Sequence, residues 1–321
     1  MRILGYLFAG SLVGLSGAAC ALLEQPAQCT TDGDCVRFKA VCDTSQSICV
    51  GQSSEDEVTA ARPDGDAASP APAPVDPPLP AECSLAPKPT AEVGAGLPPV
   101  AGDAGAQLTQ PLTLGCDRDW LLSGQLVVGA GATLTIAAGT TIKAKKGTSA
   151  AIIVERGGRI VAAGQRSAPV VLTVDDPAPQ PGDWGGLIIL GRAPRNGTEP
   201  YNGVPLLAYG GDDPADDSGV LSFVRIEYPA RALVLGGVGS GTKIDSVIVK
   251  RTADNCFAFN GGTVDAKHLV CQAPADDYFE FEDGYKGRMQ FLFGHRLAGG
   301  SNHHGLLVDG AQTAPVLFNV T

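Results

Sequence analysis

The chain has 321 residues, 42 of them Gly and 24 Pro, and carries a net charge of -11. That acidic balance argues against a nucleic-acid partner, whose phosphates it would repel. The frequent Gly and Pro argue against helical repeats, and nine cysteines suit an exported, oxidising setting.

Residues 1–20, MRILGYLFAGSLVGLSGAAC, have one early Arg, an apolar run from Ile3 and small residues before Cys20. This reads as a signal peptide, too short and too weakly flanked for a spanning helix. Two processing routes fit: cleavage at a small-x-small site near Gly17 to Ala19, or acylation of Cys20 as the first mature residue. Gly17 stands where a lipoprotein motif usually has Leu, yet removing Cys20 from nine cysteines leaves an even eight to pair. The expectation is a membrane partner through an N-terminal lipid anchor, at the outer membrane or cell surface, with secretion as the alternative.

Residues 21–50 hold Cys29, Cys35, Cys42 and Cys49 in a stretch too poor in apolar residues to build a core. Two disulfides, each supplying about 2–4 kcal/mol, would staple it, whereas a zinc site lacks the usual C-x2-C pair. Asp32 and Asp34 are calcium candidates there, or simply a solvated turn. The segment resembles the small cysteine-rich modules that follow the anchor of many Gram-negative surface lipoproteins. Residues 51–111 are rich in Pro, Ala and Asp and read as an extended, mobile spacer. Cys83 and Cys116 flank its end and are expected to pair; Cys256 and Cys271 would close one turn of the body.

Residues 112–321 form that body. QLVVGAGATLTIAAGTTIKA from Gln125 alternates apolar and polar residues between Gly-Ala turns, and AIIVERGGRIVAAG and APVVLTV continue the pattern. Between Gly191 and Gly219 the periodicity lapses into a stretch of turn formers, a length more often functional than merely connecting. Beyond it LVLGG from Leu233, FAFNGG from Phe257, FEFEDG from Phe279 and LLVDG from Leu306 recur at spacings of 24, 22 and 27 residues. A second series, FVRIEY from Phe223, SVIVKR from Ser246, KHLVCQ from Lys267 and QFLFGH from Gln290, recurs at 23, 21 and 23. Two interleaved strand series with one period describe an all-β solenoid, a right-handed parallel β-helix. Period-two alternation points Leu233, Leu235, Phe257, Phe259, Phe279, Phe281, Leu306 and Val308 inward, and Val234, Ala258, Glu280 and Leu307 outward. In the second series it points Val224, Ile226, Val247, Val249, Val270, Phe291 and Phe293 inward, with His268 an odd companion on that face.

The runs ATLTIAAGTTIKA, IIVERGGRIVAAG, PGDWGGLIILGRAP, GVLSFVRIEY and FAFNGGTVDAKHLV resemble a family of secreted or surface-attached β-helix proteins of Gram-negative bacteria, mostly hypothetical lipoproteins. The resemblance implies the fold and an extracellular address. It implies no agreed activity, so no catalytic residue is carried over.

Two constellations are candidates for chemistry. Asp212, Asp213, Asp216 and Asp217, with Asp276, Asp277, Glu280, Glu282 and Asp283, are the densest hard-oxygen donors and make calcium the candidate cofactor, against a merely solvated acidic surface. Asp254, the pair Asp276 and Asp277, and His295 follow the order of a polygalacturonase-type site, although Asp254 sits in TADN and the substrate-gripping basic motif is missing. His303 and His304 read as exposed turn residues. The function expected is a binding or structural module for polysaccharide or a surface protein; the alternative is a polysaccharide-degrading glycosidase or lyase.

Overall fold

The computed structural model describes residues 30–36, 40–43, 48–51, 76–84, 86–99, 105–201, 207–296 and 304–321. The signal peptide, Cys20, Cys29, His303 and the first part of the spacer lie outside the described residues. The chain divides into two compact units, Met1–Pro70 and Ala71–Thr321.

In the first unit Ala40–Asp43 pairs antiparallel with Ile48–Gly51, which sets Cys42 opposite Cys49. Cys35 and Cys42 are both disulfide-bonded. Asp34 Oδ2 accepts the amides of Thr30 at 2.9 Å and Thr31 at 3.1 Å, so this carboxylate ties its own turn.

The second unit is a parallel β-solenoid of about eight turns. Sheet 1 stacks Gly105–Leu108, Gln125–Val128, Ala151–Val154, Leu187–Leu190, Leu233–Gly236, Phe257–Asn260, Phe279–Glu282 and Leu306–Val308. Sheet 2 has twelve strands and forms the other walls. Thr90–Glu92 and Gly105–Leu108 already pair with Asp119–Leu122 and Gln125–Val128. The solenoid therefore takes in residues whose composition assigns them to the spacer, because short alternating runs such as GAQL bury enough once a sheet edge is present. Cys83 is bonded to Cys116, and Cys256 to Cys271.

Inward side chains stacked in register fill the core. Phe257 stacks on Phe279 and Phe259 on Phe281, each with ring centroids 5.2 Å apart, and Tyr285 closes against both Phe259 and Phe281. Such stacked pairs add about 0.5–1.5 kcal/mol beyond their burial. In the last rung Leu306 and Val308 keep the expected register with Phe279 and Phe281 but stay exposed.

The inward face of the second series differs from the alternation. Val224, Ile226, Val247 and Val249 are buried, but in the next two coils Leu269, Cys271 and Leu292 fill the core, while His268, Phe291 and Phe293 are exposed and Val270 is half-buried. The reason is a corner. Gly219–Glu227 pairs through its first half with Arg159–Ala163 and through its second with Val170–Val174, so one residue, Phe223, replaces the connection between two strands of earlier coils. Phe223, Ser246, His268 and Phe291 stack at this corner with φ of 48°, 58°, 54° and 60°. Each left-handed residue inserts an extra outward side chain and shifts the alternation by one.

Candidate functional site

The segment after Leu190 folds back over the outer face of sheet 1. Tyr201, Leu207 and Tyr209 pack on Ile153, Ile188, Leu190, Val234 and Ala258, so Val234 and Ala258 point outward yet are buried. Two glycines let this roof approach: a Cβ at Gly236 would lie 2.8 Å from the Tyr209 ring, and one at Gly261 would lie 2.4 Å from Arg195 Cβ. The amide of Asn196 donates to Asp283 O at 2.7 Å, and Asn196 Nδ2 donates to Ala311 O.

The carboxylates of the acidic loop are engaged by neighbouring side chains. Arg192 Nε lies 3.0 Å from Asp216 Oδ1 and reaches Asp213, while Ser218 Oγ donates to Asp216 Oδ2 at 2.9 Å. Asp217 pairs with Arg159 at 2.6 Å, and Asp212 is exposed. Among the described residues no three of His, Cys, Asp or Glu group so as to hold an ion. The expected calcium cluster of Asp212, Asp213, Asp216, Asp217, Asp276, Asp277 and Asp283 is thus not assembled: Asp213, Asp216 and Asp217 face guanidiniums, Asp277 an amide and Asp283 the Tyr209 hydroxyl.

The polygalacturonase-type set is also dispersed. His295 is the exposed end of the sheet 2 strand Arg288–His295, whereas Asp254, Asp276 and Asp277 lie in the turns leading into sheet 1. Asp254 is paired with Arg231 at 3.1 Å. What the register does gather is a different column, two residues ahead of each sheet 1 strand: Arg231, Asn255, Asp277 and His304. Asn255 Oδ1 accepts the Asp277 amide at 2.9 Å, and Asn255 Nδ2 donates to Glu280 Oε2 at 2.7 Å. Buried Asp277 accepts the His304 amide at 2.6 Å, with His304 Nδ1 at 3.1 Å. Burial, then the charge of Glu282, pushes the Glu280 carboxyl up to about 7, with Asp254 and Asp277 adding to it and the Asn255 bond opposing.

Beside this column, between roof and sheet, lies a cleft of about 340 Å³ lined by Arg195, Tyr201, Tyr209, Asn260, Glu282 and Asp283. Arg195 sits 3.8 Å above the centre of the Tyr209 ring, and Tyr209 donates its hydroxyl to Asp283. Burial and the Asp283 bond push the Tyr209 phenol up, and burial followed by Asp283 and Asp309 pushes Glu282 up. Asn260 is 3% exposed. Its Oδ1 is buried without a hydrogen-bond partner, and so is Arg195 Nη1. An orphaned buried donor and acceptor in one cleft mark a place where a ligand could complete the pairing.

The sequence offers Glu280 and Glu282 as ion ligands and His304 as a plain turn residue, and it does not single out Arg195, Tyr201, Tyr209, Asn255 or Asn260. The alternation that points Glu280 outward also puts Asn260 and Glu282 on that face, so part of the signal was present. Residues 106–316 match a family model described as "Pectate-lyase like beta helix domain". Neither the curated proteins nor the solved structures yield a match to the chain.

Proposed function

The chain belongs to the pectate-lyase-like β-helix family, and on that premise we propose that it is a polysaccharide-binding module whose ligand lies in the roofed cleft on the outer face of sheet 1. One observation carries this reading: the cleft joins an aromatic wall to a buried acceptor, Asn260 Oδ1, and a buried donor, Arg195 Nη1, that the protein leaves unmatched. Sugars present an apolar ring face to aromatic side chains and hydroxyls that both donate and accept, and pockets combining the two fix small polar ligands. The proposal extends to an exported, lipid-anchored protein, with Cys20 acylated and residues 51–75 in the spacer. Several acyl chains on one lipoprotein cysteine give retention that a single chain does not.

Retention of purified protein on a glycan array, lost on replacing Tyr201 by Ala, tests the binding. No retention on any glycan would overturn it. A second reading, glycoside cleavage, has one observation in its favour: Glu280, held by Asn255 and raised to about 7, has the character of a general acid. Release of reducing ends from a bound glycan, abolished by Glu280→Gln, would establish cleavage. Binding without such release leaves the module.

A further inference from the structure

The cleft's polar groups also bear on which glycan it accepts, an inference that rests on the glycan reading above. We propose that the site selects uncharged sugars: a hydroxyl donates to Asn260 Oδ1, an oxygen accepts from Arg195 Nη1, and the carboxylates around them turn uronates away.

Arg195 is the one cation among the lining residues, and a uronate would need it. Its guanidinium is already committed. Nε donates to Asn196 O at 3.1 Å and Gly197 O at 3.2 Å, and Nη2 donates to Glu199 O at 2.7 Å. A carboxylate gains most from a guanidinium by taking two parallel N–H bonds along one edge. With Nε and one N–H of Nη2 bound to backbone carbonyls and the plane against the Tyr209 ring, the side edge of the guanidinium is taken and its Nη1 end is what remains for a ligand. That end serves a hydroxyl or ring oxygen. Asn260 Oδ1 adds a second condition, since it requires a donor and an ionised carboxylate has none.

The field points the same way. Glu199, Glu282 and Asp283 line the cleft, and Glu280 stands two residues from Glu282 on the same strand. Burial already resists ionisation of Glu282. Another negative charge brought into a partly desolvated cluster meets repulsion that water screens poorly. An uncharged sugar avoids that repulsion and still offers both hydrogen-bond polarities.

The experiment compares ligands that share one sugar chain and differ in whether its carboxyl groups are charged. Calorimetric titration of the full chain with an oligogalacturonate hexamer and with its fully methyl-esterified counterpart, alongside a glycan array carrying neutral and acidic chains, reads the discrimination. The ester is expected to bind at least tenfold more tightly than the acid, and the affinity for the acid should rise with salt as repulsion is screened. Asn260→Leu should lower affinity for neutral chains about tenfold or more at an unchanged melting temperature, and Glu282→Gln should narrow the gap between ester and acid. Acid bound as tightly as ester, or a gap untouched by Glu282→Gln, would overturn the selection while leaving glycan binding intact. Retention of no glycan at all would remove the binding reading and this inference with it.

Discussion

Glu280→Gln should stabilise the solenoid above neutral pH and leave it unchanged in acid. Glu280 is half-buried, and its carboxyl is pushed up to about 7 from an ordinary value of about 4.3. Below about pH 4.3 the group holds its proton in folded and unfolded chains alike and does not penalise folding. Between about 4.3 and about 7 the unfolded chain releases the proton while the folded one keeps it, so stability falls as pH rises. Above about 7 the loss is complete. The unscreened difference is roughly 3.5 kcal/mol, which solvent access to a half-buried group cuts to about 1–2 kcal/mol. The amide keeps an oxygen for the Asn255 Nδ2 donor at the position that now sits 2.7 Å away, and it carries no charge toward Glu282. Melting curves from pH 4 to 9 should therefore coincide at pH 4 and separate by about 2–8 °C in favour of the variant at pH 8. Parallel curves at all pH values would refute the placement of Glu280 in a desolvated acidic column.

The corner register is checked by paired substitutions. Leu292→Ala should cost about 2–5 kcal/mol in chemical denaturation and Phe293→Ala under about 1 kcal/mol, although the latter removes the larger side chain. At the corner itself, Ser246→Gly should stabilise by about 0.5–1 kcal/mol and Ser246→Val destabilise by about 1–2 kcal/mol, since φ is 58° there. The Cys256–Cys271 bond joins two fully buried residues separated by 15 in sequence, so its removal as the double Ala variant should lower stability by about 3 kcal/mol, visible as a lower melting temperature under oxidising conditions.

Sheet 1 was legible because each of its strands is short and straight. The triplets at Phe257 and Phe279 put two aromatics on one face with one residue between them, and a period of two survives such a span unbroken. Sheet 2 misled for a physical reason: its longer strands turn at a single left-handed residue, and two of the four occupants, His268 and Phe291, are large side chains that the alternation assigns to the inward face. Only the hydrogen-bond register, in which Ser246 aligns with His268 and Phe291, exposes the slip.

The site was less legible than the fold because its residues come together across coils. Asn255, Asp277 and His304 are 22 and 27 residues apart and meet only once sheet 1 is in register. Arg195 and Tyr209 reach the same place from a segment whose sequence shows turn formers and no period. The acidic run at Asp212 to Asp217 reads as an ion site, yet its carboxylates meet Arg192 within the same segment and Arg159 on sheet 2. The most conspicuous charges thus support the architecture. On the proposed reading the recognition chemistry falls to Asn260 and Arg195, which the sequence does not single out, because it is the fold of the roof onto the sheet that buries one acceptor and one donor there and leaves both unmatched.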